Sequence, residues 1–460
     1  MRKYHVKALC LTMCLVLAVS LLVGGCAQSA GTPDKNDSTV PEVSVASTQG
    51  VTPENTPAVT KEPVTITYWC HSSETFVKAN EQFIDAYTKE NPNVTVKLEV
   101  FPANDFMQKL KAAFAAKSTG DVIQMFGSEA IPYVRNGLLN AVSDSLQTSI
   151  KENFFDVAIG AFRGDDGKIY GIPREINLEN GGVLYFPADL KTAGYSEFPK
   201  TYEELIDAAK KMTEVDSDGN IRNVGFDHMT TWNNTFLFYS YILQQGGDYW
   251  QDDAVHVDYT SNEAEAAMQA IVDLFTVHKV SDLKHLSVDD TWANFFKGNS
   301  SMCFVGPWAI SEGLQTFDNH DFSYGLMPSF KGDSHAFAAE TGWGEVVSVY
   351  SANTEVAWNF VDFITSDKNA LDFNIMTSTI PSRKSILEAK EYVDSNPMLA
   401  PSLKVLPEGR YIGPLQNVWT AMEIIEKNTK STINNEIDVK TALQKAEEET
   451  NAMIDEQLAQ

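Results

Sequence analysis

Two tryptophans stand in settings that favour recognition chemistry over core packing. Trp343 lies in Thr341-Gly342-Trp343-Gly344-Glu345, where glycines on both sides would let the backbone approach a ligand closely. A hinge built from small residues accounts for the same pattern equally well. Trp232 lies in Thr230-Thr231-Trp232-Asn233-Asn234, a polar loop before a helix and an unusual place for a core ring. Glu345 can accept hydrogen bonds from hydroxyls. The chemistry these groups perform is non-covalent. A small polar ligand with an apolar face would set that face against an aromatic plate. Its polar rim needs fixed carboxylate, amide or guanidinium groups. Eight tryptophans are enough for several plates.

Covalent chemistry finds less support. No HExxH, GxSxG or Cys/His nucleophile pattern stands out. With 62 acidic residues, carboxylate pairs occur by chance, so the set separation of a glycosidase pair cannot be read from them. An exported carbohydrate-active hydrolase is the rival reading. Asp216-Ser217-Asp218-Gly219-Asn220 begins like a calcium loop, but its glycine comes too early and no Glu closes it, so a polar turn is expected. No metal or cofactor is called for.

These residues need a scaffold. Val64–Trp69 reads as a strand, residues 74–90 as a helix with apolar positions Phe76, Ala79, Phe83 and Tyr87, and residues 94–100 as a second strand. A helix over 105–117, a strand over 121–126 and a helix near 129–136 follow. Alternation at this spacing predicts an α/β layer with a largely parallel sheet. Thr201 and Glu204 form a capping box for a helix over 202–213. Further helices are expected over 235–245, 262–278, 355–365 and 416–459, and strands over 301–305 and 345–350. Ligands of open parallel sheets sit beyond the carboxyl ends of the strands. That rule selects the loops 70–74 and 126–129, and Gly306-Pro307-Trp308 if its strand joins a similar sheet.

The N-terminus carries an address. Arg2, Lys3 and Lys7 precede an uncharged apolar run over 8–23, too short to span a bilayer comfortably. Val23-Gly24-Gly25-Cys26 resembles the lipobox of bacterial lipoproteins, which implies cleavage before Cys26, a lipid on its thiol and attachment to the outer face of the cell membrane. Residues 26–62 are rich in Ser, Thr, Pro and Ala and read as a tether. The formal net charge of −27 opposes binding to nucleic acid. Cys70 and Cys303 are expected as buried free thiols, with one disulfide as the alternative.

Several stretches together resemble a known family. They are Gly167-Lys168-Ile169-Tyr170-Gly171-Ile172-Pro173 followed by Leu184-Tyr185-Phe186; Phe198-Pro199-Lys200-Thr201-Tyr202; Phe296-Lys297-Gly298 through Gly306-Pro307-Trp308; Ala357-Trp358-Asn359-Phe360; and Ile380-Pro381-Ser382-Arg383. From Val64 onward the chain resembles the extracellular solute-binding proteins of bacterial ABC importers, in particular the maltose- and oligosaccharide-binding group. The resemblance implies a monomeric α/β protein of two lobes, periplasmic-binding-protein-like, with a hinge and an interlobe ligand cleft. Lobe 1 would comprise 63–174 and 343–382, and lobe 2 would comprise 175–342 and 383–460. Its partners would be a carbohydrate, or another solute as the alternative, and the membrane subunits of a permease.

The resemblance also implies roles for single residues. Trp308 is expected to stack on the ligand, with Trp232, Trp343 and Trp419 as further plates. Glu175 and Asn177 at the first crossing, Glu74, Ser128, Glu129, Glu345 and Arg383 are the expected polar contacts. Relatives of the maltose type tend to carry an acid where this chain has Ser128. Trp69 and Trp358 are assigned to the core.

Overall fold

The computed structural model describes residues 62–176, 182–228, 231–283, 291–339, 341–413, 415 and 417–458. The leader, Cys26, nearly all of the tether and Asn177 lie outside these residues.

The first half builds the alternation expected of it. Strand β1 (Val64–His71) leads into helix α1 (Glu74–Glu90), then β2 (Val94–Phe101), α2 (Ala103–Ala115), β3 (Val122–Phe126) and α3 (Gly127–Arg135). β1 lies between β2 and β3 and is parallel to both. Its Val, Ile and Thr residues suit a pleated, half-buried surface. α1 buries Phe76, Ala79, Phe83 and Tyr87, which recur at three- and four-residue spacing and so share one face. The ring of Tyr87 meets Phe360 edge-on at 5.2 Å, which joins α1 to the helix Thr354–Ile364.

Beyond β3 the sheet departs from the parallel pattern. The strand Trp343–Val347 runs antiparallel to β3, with Trp343 opposite Phe126. On its far side it pairs, again antiparallel, with β4 (Gly171–Pro173). A segment that returns from the far end of the chain has no sequence neighbour to set its direction, so local alternation could not predict it.

Next to β4 the chain passes through β5 (Glu175–Ile176) and reaches β6 (Val183–Tyr185). β6 is the middle of a second, three-stranded sheet, flanked antiparallel by Met302–Phe304 and Ser323–Gly325. β5 pairs with Ile380–Pro381. Arg174 N donates to Trp343 O at 2.9 Å, and Ser382 Oγ donates to Pro173 O at 2.7 Å. Residues near 174, 343 and 382 thus lie side by side between the two sheets.

The helices Thr231–Gln244, Asn262–Thr276, Val418–Ile433 and Val439–Leu458 share one apolar core with β6. The expected single helical segment over 416–459 is two helices. Asn435 takes a left-handed φ of 58°, which ends the first, and Asp438 Oδ1 accepts from Thr441 N at 2.8 Å to start the second. Cys70 and Cys303 are buried free thiols, one in each sheet. Among the described residues no helix is long and apolar enough to cross a membrane.

Candidate ligand-binding site

The carboxyl ends of β1 and β3 and the first residue of the strand Trp343–Val347 meet at one point. His71, the last residue of β1, is buried beside Trp343 with ring centroids 4.1 Å apart. Its Nδ1 accepts from Ser73 N at 3.1 Å. That bond puts the proton on Nε2, which is buried and has no hydrogen-bond partner. Burial, reinforced by Arg174, pushes the His71 imidazole down to about 3, so the ring is neutral near pH 7.

Phe126 ends β3 and touches two indoles edge-on. Its ring lies 5.2 Å from Trp343 and 5.0 Å from Trp232. Trp232 in turn stands perpendicular to Trp419 at 4.1 Å. Trp343, Phe126, Trp232 and Trp419 therefore form one continuous aromatic line. It begins on the five-stranded sheet and ends on the helices of the second core. All three indoles in it are half-buried, so each keeps surface available to a ligand.

A second contact joins the two sides. Trp308 precedes the helix Ala309–Gln315, and Glu312 follows one turn later on the same helical face. Glu312 Oε1 accepts from Ser73 Oγ at 3.0 Å. Trp308 is half-buried and meets Trp292 edge-on at 5.7 Å.

The glycines around Trp343 serve the backbone and the packing. Gly342 has φ +79°, a conformation that L side chains rarely adopt, and its carbonyl accepts from Gly127 N at 2.9 Å. A Cβ on Gly344 would come within 2.6 Å of the Phe162 ring. Trp343 N donates to Glu175 Oε1 at 3.1 Å, so Glu175 holds the crossing strand in place.

Mixed aromatic and polar groups at strand ends, between two sheets, are the arrangement of a ligand cleft. The sequence matches the family described as bacterial extracellular solute-binding protein over residues 73–371. The chain belongs to that family. It is similar to the galactooligosaccharide-binding protein of Bacillus subtilis, 23% identical over 386 residues that cover 81% of this chain and 85% of that protein. It is also similar to a putative binding protein of Brucella abortus, 24% identical over 77% of this chain and 84% of the relative. Among solved structures it resembles an ABC substrate-binding protein of Listeria monocytogenes in complex with cycloalternan. The TM-score is 0.73 at 21% identity, over 85% of this chain and 99% of that one. The maltose/maltodextrin-binding domain of Bdellovibrio bacteriovorus bound to maltotriose gives a TM-score of 0.72 at 20% identity, over 85% and 100%. These likenesses establish the two-domain α/β fold.

In this solute-binding protein the expected site residues divide into two groups. Trp232, Trp343 and Trp419 come together through Phe126, and Glu175 bonds the backbone of Trp343. Ser128 and Glu129 are buried in the first turn of α3, directly after Phe126. Glu129 Oε1 has no hydrogen-bond partner, and burial raises its carboxyl pKa against the opposing pull of Lys111. Glu74 is exposed at the start of α1 and pairs with Lys78 at 2.6 Å.

One expected carboxylate, Glu345, and one expected guanidinium, Arg383, are engaged elsewhere. Glu345 is withdrawn from solvent: its side chain and that of Arg174 are 0% and 1% exposed. Its Oε1 accepts from Tyr68 Oη at 2.7 Å and Arg174 Nη1 at 3.2 Å. Glu345 therefore fastens the crossing strand to β1. Arg383 donates from Nε to Thr365 O at 2.7 Å and from Nη1 to Asp367 Oδ1 at 3.0 Å, with its guanidinium over Phe154. It closes the end of the helix Thr354–Ile364.

Sequence reasoning did not single out His71, Ser73, Phe126 or Glu312 as site residues. The strand-end rule had selected the loops holding the first three, without saying which side chain faces the gap. Glu312 carried no signal, since an acid in a short helix is ordinary. Among the described residues no group of three or more His, Cys, Asp or Glu is placed to hold a metal ion.

Proposed function

We infer that the protein is the lipid-anchored, extracytoplasmic receptor of an ABC importer, that it captures a mono- or oligosaccharide, and that it delivers this ligand to a membrane permease. The aromatic line Trp343–Phe126–Trp232–Trp419, with Trp308 near the Ser73–Glu312 contact, carries the reading. Half-buried indoles offer plates to apolar sugar faces, and His71 Nε2 offers a buried donor for a hydroxyl. Relatives that bind galactooligosaccharide and maltodextrin support the same ligand class.

The lobes are assigned as 63–174 with 343–382, and 175–342 with 383–460. The three adjacent crossings serve as the hinge, and the cleft closes on the ligand. Cys26 carries the anchor, the tether spaces a monomeric body from the membrane, and the protein performs no catalysis.

Thermal unfolding against a panel of maltose, maltotriose, galactooligosaccharides, peptides and metal ions tests this reading, with each sample checked for turnover by mass spectrometry. A native-state ligand at 100 times its Kd stabilises by about 2.7 kcal/mol. One saccharide should raise the midpoint and be recovered intact. Consumption of the saccharide, or a response to peptides or metal ions alone, would contradict it.

A further inference from the structure

We propose that Glu312 is a latch that closes the cleft by completing the N-terminus of helix α1 from the opposite side. The inference rests on the reading that the two sheets belong to lobes that move.

Ser73 is the N-cap residue of the 17-residue helix α1, with φ −58° and ψ 124°. A serine there ordinarily turns its hydroxyl back to accept from an N–H of its own first turn. Ser73 makes no such bond. Its hydroxyl donates instead to Glu312 Oε1 at 3.0 Å, 239 residues away in sequence. The nearby Thr75 hydroxyl lies 3.4 Å from Ser73 Oγ. A carboxylate thus faces the positive end of a long helix, the place where an anion is favoured.

The carboxylate is aimed in advance. Its other oxygen accepts from Thr316 Oγ at 2.7 Å, from one turn along in the chain. With both oxygens engaged, Glu312 is only 8% exposed. A buried carboxylate needs such partners, and in an open cleft it would return to water. The Phe126–Trp232 contact is a second meeting point of the two sides, and it is apolar. The Ser73–Glu312 bond is directional, and with the Gln315 Nε2–Met376 O bond at 2.9 Å from the same helix it fixes where the lobes stop.

The consequence is an equilibrium set within the chain. Part of the ligand-free population is already closed, held by the latch, and a ligand draws on it.

Spin-label distance measurement on the ligand-free chain from residue 26 onward, carrying Cys26→Ser, tests the latch. Labels go on Ala116→Cys and Lys191→Cys, both at exposed positions on opposite sides, while the buried Cys70 and Cys303 stay unlabelled. The unsubstituted latch should give a short-distance population that Ser73→Ala and Glu312→Gln each deplete severalfold. Ser73→Thr, which keeps the hydroxyl, should retain it. Circular dichroism confirms that each variant is folded. Identical distance distributions in all variants would overturn the proposal. So would a loss of helix content in Ser73→Ala with the distances unchanged, since that marks a merely local cap. No ligand enters the experiment, so its outcome is independent of whether the solute is a saccharide.

Discussion

The imidazole of His71 lies against the indole of Trp343 with centroids 4.1 Å apart, and Trp343 sits on the strand that crosses between the two sheets. The same indole also supports Phe126 at 5.2 Å. One residue therefore links the end of β1, the end of β3 and the crossing.

Replacing Trp343 by Ala should remove all of these contacts together. Part of the indole is already solvated, so the loss is expected near the low end for large-to-small changes, about 3 kcal/mol. Urea unfolding measures the stability. Affinity for the saccharide found by the thermal panel should fall as well, because Phe126 and His71 lose the surface that orients them.

Glu345→Ala should be costlier to the fold than Trp343→Ala. It strands the Arg174 guanidinium, which also lies over Phe373 at 3.7 Å and donates to Asn80 Oδ1 at 2.6 Å. Removing one partner of a buried pair costs about 3–5 kcal/mol. The shift of the urea midpoint checks it. A fully stable variant with selectively lost binding would instead assign Glu345 to the ligand.

His228 makes acid stability a test of burial. Neither ring nitrogen has a hydrogen-bond partner, and burial pushes the imidazole down to about 3. The unfolded chain binds that proton near the ordinary value of about 6.5. Stability from the neutral ring is therefore complete above that value and is lost as pH falls from it toward 3. At pH 5 the loss from this residue is about 2 kcal/mol. His228→Phe should thus raise the urea midpoint relative to the unsubstituted chain by more at pH 5 than at pH 7. An equal difference at both pH values would show that the ring is not held neutral.

Much of this architecture was legible because it is local. The β–α alternation from Val64 to Arg135 follows from apolar spacing and turn residues, and Thr201 and Glu204 form their capping box as written. Asp216 Oδ1 accepts from the backbone of Asp218 and Asn220, which makes the expected polar turn. Trp69 and Trp358 are each 7% exposed, as expected of core residues. What was not legible depends on distant pairing. The antiparallel entry of Trp343–Val347, the burial of Glu345 against Arg174 and the Ser73–Glu312 bond each join segments well over a hundred residues apart. The glycines flanking Trp343 fitted either close approach to a ligand or a small-residue hinge. The φ of Gly342 and the Phe162 ring against Gly344 explain both without a ligand.

Titration calorimetry of the unsubstituted chain beside Trp308→Ala, using whichever panel saccharide gives the largest thermal shift, decides whether the indoles hold a saccharide. Saccharide capture by half-buried indoles requires saturable binding to the unsubstituted chain. It also requires a loss of about 1.5–3 kcal/mol, tenfold or more in Kd, in a variant that circular dichroism shows to be folded at the temperature of the titration. Equal affinity in the two proteins, or no heat from any saccharide of the panel, would contradict it.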